Sequence, residues 1–428
     1  MFFYIIFATE NSTNLFYNIK IYNYLKMKTV NNAFFIIVLL SVCSCSSTNI
    51  VTISAKSDNS KILALDAVFE QKEFHISDLV DTLEVIALET TSESVLASIN
   101  LTKITDDYIY VMDSYQNGGL AIFDKDGKFV HRLLYGNGPG EINSVTSFDV
   151  DEHFLYTYQP DKVNKYTLNG IFIESYPILE KLKMFFNSIH IVNDGFLLSI
   201  MPCNSEYLVH SVLYVDSDFN QKQLFLFDNH FDGFISFDNF KMFKEGVVFA
   251  PVMHNTVYKF DGATFKPLYY FDYSKHENTF ETNPDCNSSG LNFRNDHCKI
   301  NKFFFDGRIF ETNDYLYMTF YDGYTPFRVY IDAKNGKFRS GIAPSPDDAP
   351  VWPLVYGLVV SQYDDFFVQT LPPDHYLGDD HLEENVSILE HISDEDKHKL
   401  LTAKEDDNPL IILYRLNSIQ GDTTQETP

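Results

Sequence analysis

The residues best suited to meet a ligand come in short groups spread along the chain: Tyr115 with Asn117, Tyr158 with Asp161, Asn204 after Cys203, His254 with Asn255, Asp322 with Tyr324, and Asp374 with His375. Most of these groups set a ring beside an amide or a carboxylate. A ring covers the face of a sugar or an apolar side chain while the polar tips fix its orientation, so the pattern suits carbohydrate or peptide recognition. Ordinary loop polarity gives the same composition. Glu141 is a further candidate, closing the run Gly136-Asn137-Gly138-Pro139-Gly140-Glu141. That run has no Lys or Ser/Thr in phosphate-loop spacing, and it joins strand to strand. It reads first as a tight turn using the positive φ open to glycine, and second as a loop offering Glu141 as ligand or base.

Catalytic and metal motifs are absent. The 13 histidines show no HExxH spacing, no G-x-S-x-G occurs, and carboxylates are too numerous for one pair to stand out. No catalytic residue or metal ligand set is assigned on this basis, although sites can be assembled from loops distant in sequence and spacing does not exclude one. No cofactor is expected. Calcium is the one ion that the Asp-rich loops admit, without a D-x-D-x-D-G loop to hold it.

The elements that must carry these loops are short strands. Asp106 to Glu141 contains the aromatic and β-branched run Tyr108 to Asp113, a second run Leu120 to Phe123, and a third, Lys128 to Leu134, after the turn Lys125-Asp126-Gly127. Weaker copies follow at Ser147 to Ile178, Ser188 to Phe227, Phe240 to Phe271 and Phe303 to Ile342. A sixth unit is built from Leu354 to Ser361, Phe366 to Leu371 and Pro409 to Leu416. Asp124, Thr167, Asp216, Asp261 and Asp332 stand at equivalent turns, separated by 43, 49, 45 and 71 residues. A period of about 45 residues is that of four-stranded propeller blades, and the long last interval holds a polar insertion at 274–301. A second insertion, 372–407, contains a predicted helix from Ser393 to Ala403 behind an N-cap serine and an acidic first turn.

The sixth unit lacks an outer strand, and the alternating run Leu83 to Glu89 is the expected donor. The expected fold is therefore all-β: a six-bladed β-propeller of four-stranded antiparallel blades, spanning 66–417 and closed by an N-terminal strand pairing with the last blade. Closure removes the open edges of a linear array. The loops between second and third strands then gather on one face around the channel mouth, which brings the ring-and-amide groups together.

Composition agrees with this reading. Phe and Tyr number 39 and 27 against one Trp, which suits many half-buried strands. The formal charge of −27 argues against nucleic-acid or anionic bilayer binding and fits a solvated acidic exterior or a surface for cations and basic ligands.

At the N-terminus, Met27-Lys28, the apolar run Ala33 to Val42 and the sequence Cys43-Ser44-Cys45 have the order of an export signal whose lipobox ends in a lipidated Cys45. The apolar run is shorter than the roughly 20 residues of a membrane span. The expected organisation is an upstream extension at 1–26 with Met27 as the true start, a signal segment at 27–44, a tether at 45–65, the propeller, and a polar tail at 418–428. Cys286 and Cys298 lie in one polar segment and either close a disulfide in an oxidising compartment or remain free thiols.

These stretches together resemble the six-bladed β-propeller lipoproteins common in Bacteroides-type gut bacteria, of the NHL or TolB-like kind. The resemblance rests on Leu83 to Thr90, Ile122-Phe123-Asp124 with Asp126-Gly127-Lys128, the Gly136 to Glu141 turn, and Glu405-Asp406-Asp407-Asn408-Pro409. Asn137 stands where that family often has Arg. The resemblance implies the propeller fold and an envelope location, lipid-anchored at the outer membrane. It implies no settled activity.

The functional expectation is a monomeric, non-catalytic envelope lipoprotein that binds a glycan, a peptide or a protein partner, touches membrane only through its lipid, and binds no nucleic acid. The alternatives are a lyase or glycosidase acting on polysaccharide or peptide, and a scaffold subunit of an outer-membrane complex that makes contact through its insertions.

Overall fold

The computed structural model describes residues 49–55, 60–71, 73–97, 99, 101–113, 119–143, 145–200, 209–230, 238–273, 275–276, 303–322, 325–344, 354–355, 357–372, 383, 386 and 389–419. Six antiparallel sheets follow one another in chain order, each with its strands in the sequence first, second, third, fourth from one edge. Blade one is built from Leu101–Ile104, Tyr108–Asp113, Gly119–Asp124 and Phe129–Arg132. Blades two to five repeat the plan.

Each sheet is sandwiched between two neighbours, so its second and third strands are apolar on both faces. Tyr108–Asp113 and Gly119–Asp124 are buried almost throughout, which is why they read as continuous apolar runs instead of alternating ones. The buried apolar side chains fall into six clusters, one for each boundary between blades. Blade one shares a cluster with blade two through Tyr110, Ile122, Phe148 and Tyr166. It shares another with blade six through Val111, Phe123, Val368 and Ile411. That last cluster makes the array a ring.

The turn residues act through their side chains. Asp124 Oδ1 accepts from the Asp126 and Lys128 amides at 3.0 and 2.9 Å, and Asp216, Asp261 and Asp332 make equivalent bonds to the turns that follow them. Thr167 Oγ1 does the same for Ile171 N–H at 2.9 Å. Each residue satisfies amides that the hairpin would otherwise leave unpaired, which explains an oxygen-bearing side chain at every copy of this position. Gly140 adopts φ +75°, and a Cβ there would lie 2.5 Å from Phe172 Cβ. We expect Gly140→Ala to cost about 2 kcal/mol, read as a fall in the denaturation midpoint.

The N-terminal stretch runs along the outside of the ring. Asn49–Ile53 pairs in parallel with the fourth strand of blade three, Gln221–His230. Lys61–Ala64 pairs likewise with the fourth strand of blade four, Phe265–Asp272. Phe69 is buried, stacked on Phe303 at 4.1 Å and edge-on to Phe320 and Phe327 of blade five. Glu73–Phe74 pairs with Ala343–Pro344. Val80–Ile86 then joins Leu410–Leu416 as the outer strand of blade six, with Ile86 opposite Ile411 and Leu83 opposite Tyr414. The closing strand thus begins at Val80, earlier than the expected Leu83, and two strands lie within the span read as a tether.

In blade six the first strand is Ser361–Tyr363, and Leu354 and Val355 are buried turn residues where the sequence suggested a strand. The second insertion carries a helix at Asp394–Thr402, whose N-cap Ser393 Oγ accepts from Asp396 N–H at 3.0 Å. Lys399 Nζ ties this helix to the closing strand through Val85 O at 2.9 Å. Ser393→Ala should cost about 1 kcal/mol of helix stability, read by amide exchange across the helix. Among the described residues no helix is long and apolar enough to cross a membrane.

Candidate functional site

The first strand of each blade borders the axis, and five of the six place a charge or an imidazole there. Leu101–Ile104 carries Lys103, Ser147–Val150 carries Asp149, and Phe186–Val192 carries His190. Phe240–Phe243 carries Lys241, with Asp238 just before it, and Phe303–Glu311 carries Asp306 and Arg308.

Asp149 joins three blades. One carboxylate oxygen pairs with Lys103 of blade one and also accepts from its own Val150 N–H at 2.9 Å. The other accepts from Ile191 N–H of blade three at 2.8 Å. His190 Nδ1 comes to 2.8 Å of that second oxygen without the alignment of a hydrogen bond. The His190 ring lies on Phe240 of blade four, 5.7 Å between centroids. Lys241 pairs with Asp238, with Nζ 5.0 Å from the centroid of the Phe310 ring of blade five. Arg308 pairs with Asp306, whose Oδ1 also accepts the Arg308 backbone N–H at 3.0 Å. This last pair flanks Gly307, at φ +85°, where the register with the second strand shifts.

The charges act on one another. Burial works to raise the Asp149 carboxyl, but Lys103 and His190 outweigh it and hold the group well below its ordinary value. Burial likewise opposes the charge on Lys103, which Asp149 and Asp238 keep above the usual lysine value. Lys241 is pushed down by burial, with Lys103 and Arg308 adding to the push and Asp238 resisting it. Asp306 is raised by burial against the pull of Arg308. Three cations and three carboxylates from four blades, with His190 from another, therefore form one electrostatic unit on the axis.

Taking ion pairs out of water rarely repays its cost in stability, whereas perturbed groups gathered in one place are a common mark of function. Gln362 of blade six lies at the turn end of these strands: its Oε1 accepts from Glu311 N–H at 2.9 Å and its Nε2 donates to Met242 O at 2.8 Å, reaching past blade five to blade four.

The loop residues singled out by sequence are placed as follows. Tyr158 is buried, accepts from Phe186 N–H at 2.9 Å, and has its phenol pushed up to about 12 by burial. Asp161 is exposed. His254 is buried, with Nδ1 accepting from Thr256 N–H at 3.2 Å and its ring 5.9 Å from that of His210. Asn255 Oδ1 accepts from the Tyr273 hydroxyl at 2.6 Å, and Asp322 is half-buried at the end of its strand. Glu141 folds back over its own loop, with Oε2 accepting from Gly138 N–H at 2.7 Å. A Cβ on Gly136 would lie 2.1 Å from that oxygen. Tyr115, Asn117, Asn204, Tyr324, Asp374, His375, Cys45, Cys286 and Cys298 lie outside the described residues. Among the described residues no group of three or more His, Cys, Asp or Glu is arranged to hold a metal ion.

A family model described as a domain of unknown function, DUF4934, matches residues 60–415. The chain belongs to that family. The DUF4934 match opens at the strand Lys61–Ala64 on the outside of blade four and ends in Leu410–Leu416, the third strand of blade six, so it covers the closed ring and leaves out the strand Asn49–Ile53. Among solved structures, the DUF4934 chain is similar to a protein described as exported from Bacteroides fragilis, at 16% identity and TM-score 0.62, over 86% of this chain and 100% of that one. It also aligns with a member of the DUF4221 family from Bacteroides vulgatus at 10% identity and TM-score 0.43, over 81% of this chain and 99% of that one. The first shares the fold. No functionally curated protein matches the chain.

Lys103, Asp149, His190, Lys241 and Arg308 were not singled out by the sequence reading. A signal was there to find: Lys103, Asp149, His190 and Lys241 each stand in a short first strand and are spaced by 46, 41 and 51 residues, close to the blade period, and Arg308 follows after 67, an interval that contains the insertion at 274–301.

Proposed function

We propose that this chain is an exported envelope protein, lipid-anchored through Cys45, whose propeller binds a ligand in the central channel and releases it unchanged. The observation that carries the binding role is the convergence of Lys103, Asp149, His190, Lys241 and Arg308 from five blades on one axis. The order of residues from Met27 to Cys45 supports export and anchoring, as does the description of the Bacteroides fragilis structure as an exported protein. In this scheme residues 27–44 leave as a signal segment.

The test is a thermal-shift screen of the full chain in detergent against saccharides, peptides and divalent ions. A channel ligand at a hundred times its dissociation constant adds about 2.7 kcal/mol of stability. That gain should disappear in Arg308→Gln. A ligand whose effect survives that substitution binds elsewhere, and the channel reading then fails.

One observation favours a catalytic reading as the second choice. His190 Nδ1 lies 2.8 Å from a carboxylate that also pairs with Lys103, and a rotation of the ring that aligned the two would orient it as a general base. Mass analysis of the bound ligand after long incubation separates the two, since a binder returns it intact.

A further inference from the structure

The channel charges differ in how they meet solvent. The side chains of Lys103 and Arg308 are 21% and 37% exposed, whereas their partners Asp149 and Asp306 are 4% and 6% exposed. In these two pairs the cation stands forward and the carboxylate backs it. Blade four reverses the order, with Asp238 at 25% and Lys241 at 6%. The groups that reach solvent are therefore two cations and one carboxylate, with Lys241 buried and within electrostatic reach of all three.

A guanidinium has five N–H donors and an ammonium three, more than Asp306, Tyr321 and Asp149 take up, so donors remain at both cations. The inner strands of blades one and three also hold neutral polar groups with no hydrogen-bond partner among the described residues. These are Thr102 Oγ1, Asn187 Oδ1 and Ser188 Oγ, on residues 1%, 4% and 2% exposed. Buried hydroxyl and amide oxygens of this kind need partners.

We infer that the channel takes a carboxylate-bearing sugar, with Lys103 and Arg308 holding the carboxylate and Asp238 and the neutral oxygens receiving hydroxyls. The inference rests on the channel-binding reading and narrows it. A charge-assisted pair to a carboxylate is stronger than a neutral hydrogen bond, and a guanidinium can meet a carboxylate with two parallel N–H bonds. The unpartnered hydroxyl and amide groups on the first strands of blades one and three favour a sugar over a peptide end. The chain's charge of −27 confines the contact to the channel, because an extended polyanion would be repelled by the exterior.

The experiment is calorimetric titration of the full chain in detergent with D-galacturonate and D-glucuronate, their neutral counterparts galactose and glucose, and a short peptide with a free C-terminal carboxylate. At least one uronate should bind at least about tenfold more tightly than its neutral counterpart, and its affinity should fall by a similar factor in Arg308→Gln and in Lys103→Met. Added salt should weaken it. Arg308→Lys, which keeps the charge beside Asp306, provides a folded variant that should lose affinity for the uronate while retaining the unliganded denaturation midpoint. Equal binding of uronate and neutral sugar, or binding of the peptide alone, would overturn the inference while leaving a channel binder in place if the binding is lost in Arg308→Gln; uronate binding unchanged by these substitutions would overturn both the inference and the channel reading. Binding of none of the probes would overturn the inference too, and the wider thermal-shift screen then decides whether the channel-binding reading survives.

Discussion

Asp149→Ala should lower the stability of the ring by about 3–5 kcal/mol, the usual result of removing one member of a buried ion pair. The loss is large because four groups lose a partner at once: Lys103, His190 and the amides of Val150 and Ile191. For a ring of this size it corresponds to roughly a 5 °C fall in the denaturation midpoint. Lys103→Met in the same background removes the stranded cation and should recover part of the loss. If Asp149→Ala alone leaves the midpoint unchanged, the carboxylate is not the junction of blades one, two and three described above.

The second large effect is on acid stability, through His210 and His254. Burial holds His210 down to about 4, and burial together with His210 holds His254 down to about 3. Both folded values lie below the ordinary 6.5, so the native ring keeps these imidazoles neutral while the unfolded chain protonates them. The unfolded state therefore binds more protons below about pH 6.5, and stability falls as pH drops from there toward 4. One pKa unit is worth about 1.4 kcal/mol, so each histidine contributes a loss of roughly 3 kcal/mol over that window. The depressed carboxyl of Asp149 acts in the same direction but below about pH 3.9, outside it. Chemical denaturation at stepped pH should give the slope, and His210→Phe should flatten it by about half. A stability curve flat between pH 6.5 and 4 would mean that the pair is hydrated in solution.

Much of the ring could be read from the residues because its local signals are repeated. Asp124, Asp216, Asp261 and Asp332 mark the same hairpin in four blades, and the bonds they make there are the reason for the repetition. Leu83 to Glu89 stood out as a closing strand because blade six had none of its own. The belt was harder to read. Asn49–Ile53 and Lys61–Ala64 are short, and Ile50 and Ile62 face solvent at 50% and 51% exposure, so neither carries the apolar density of an inner strand. Their pairing is decided by edges that lie far away in sequence.

The site was less legible than the fold. Loop composition directed attention to His254 and Tyr158, yet both are buried and bonded beneath the loops that carry them. They were assigned to the ligand-facing loops because a run such as Val252 to Thr256 does not reveal which side chains turn inward. Lys103 and Asp149 were passed over for the opposite reason. Each is one charge in a four-residue strand, ordinary by itself, and it gains meaning only when the ring brings the first strands together.

The most direct test of a ligand-binding channel is amide hydrogen exchange of the full chain with and without the ligand found by the screen. Protection should appear on the first strands, at Leu101–Ile104, Phe240–Phe243 and Phe303–Glu311, with little change elsewhere. Protection confined to the outer strands Phe129–Arg132 and Phe172–Tyr176, or to the belt, would contradict the account and place the binding surface on the rim of the propeller.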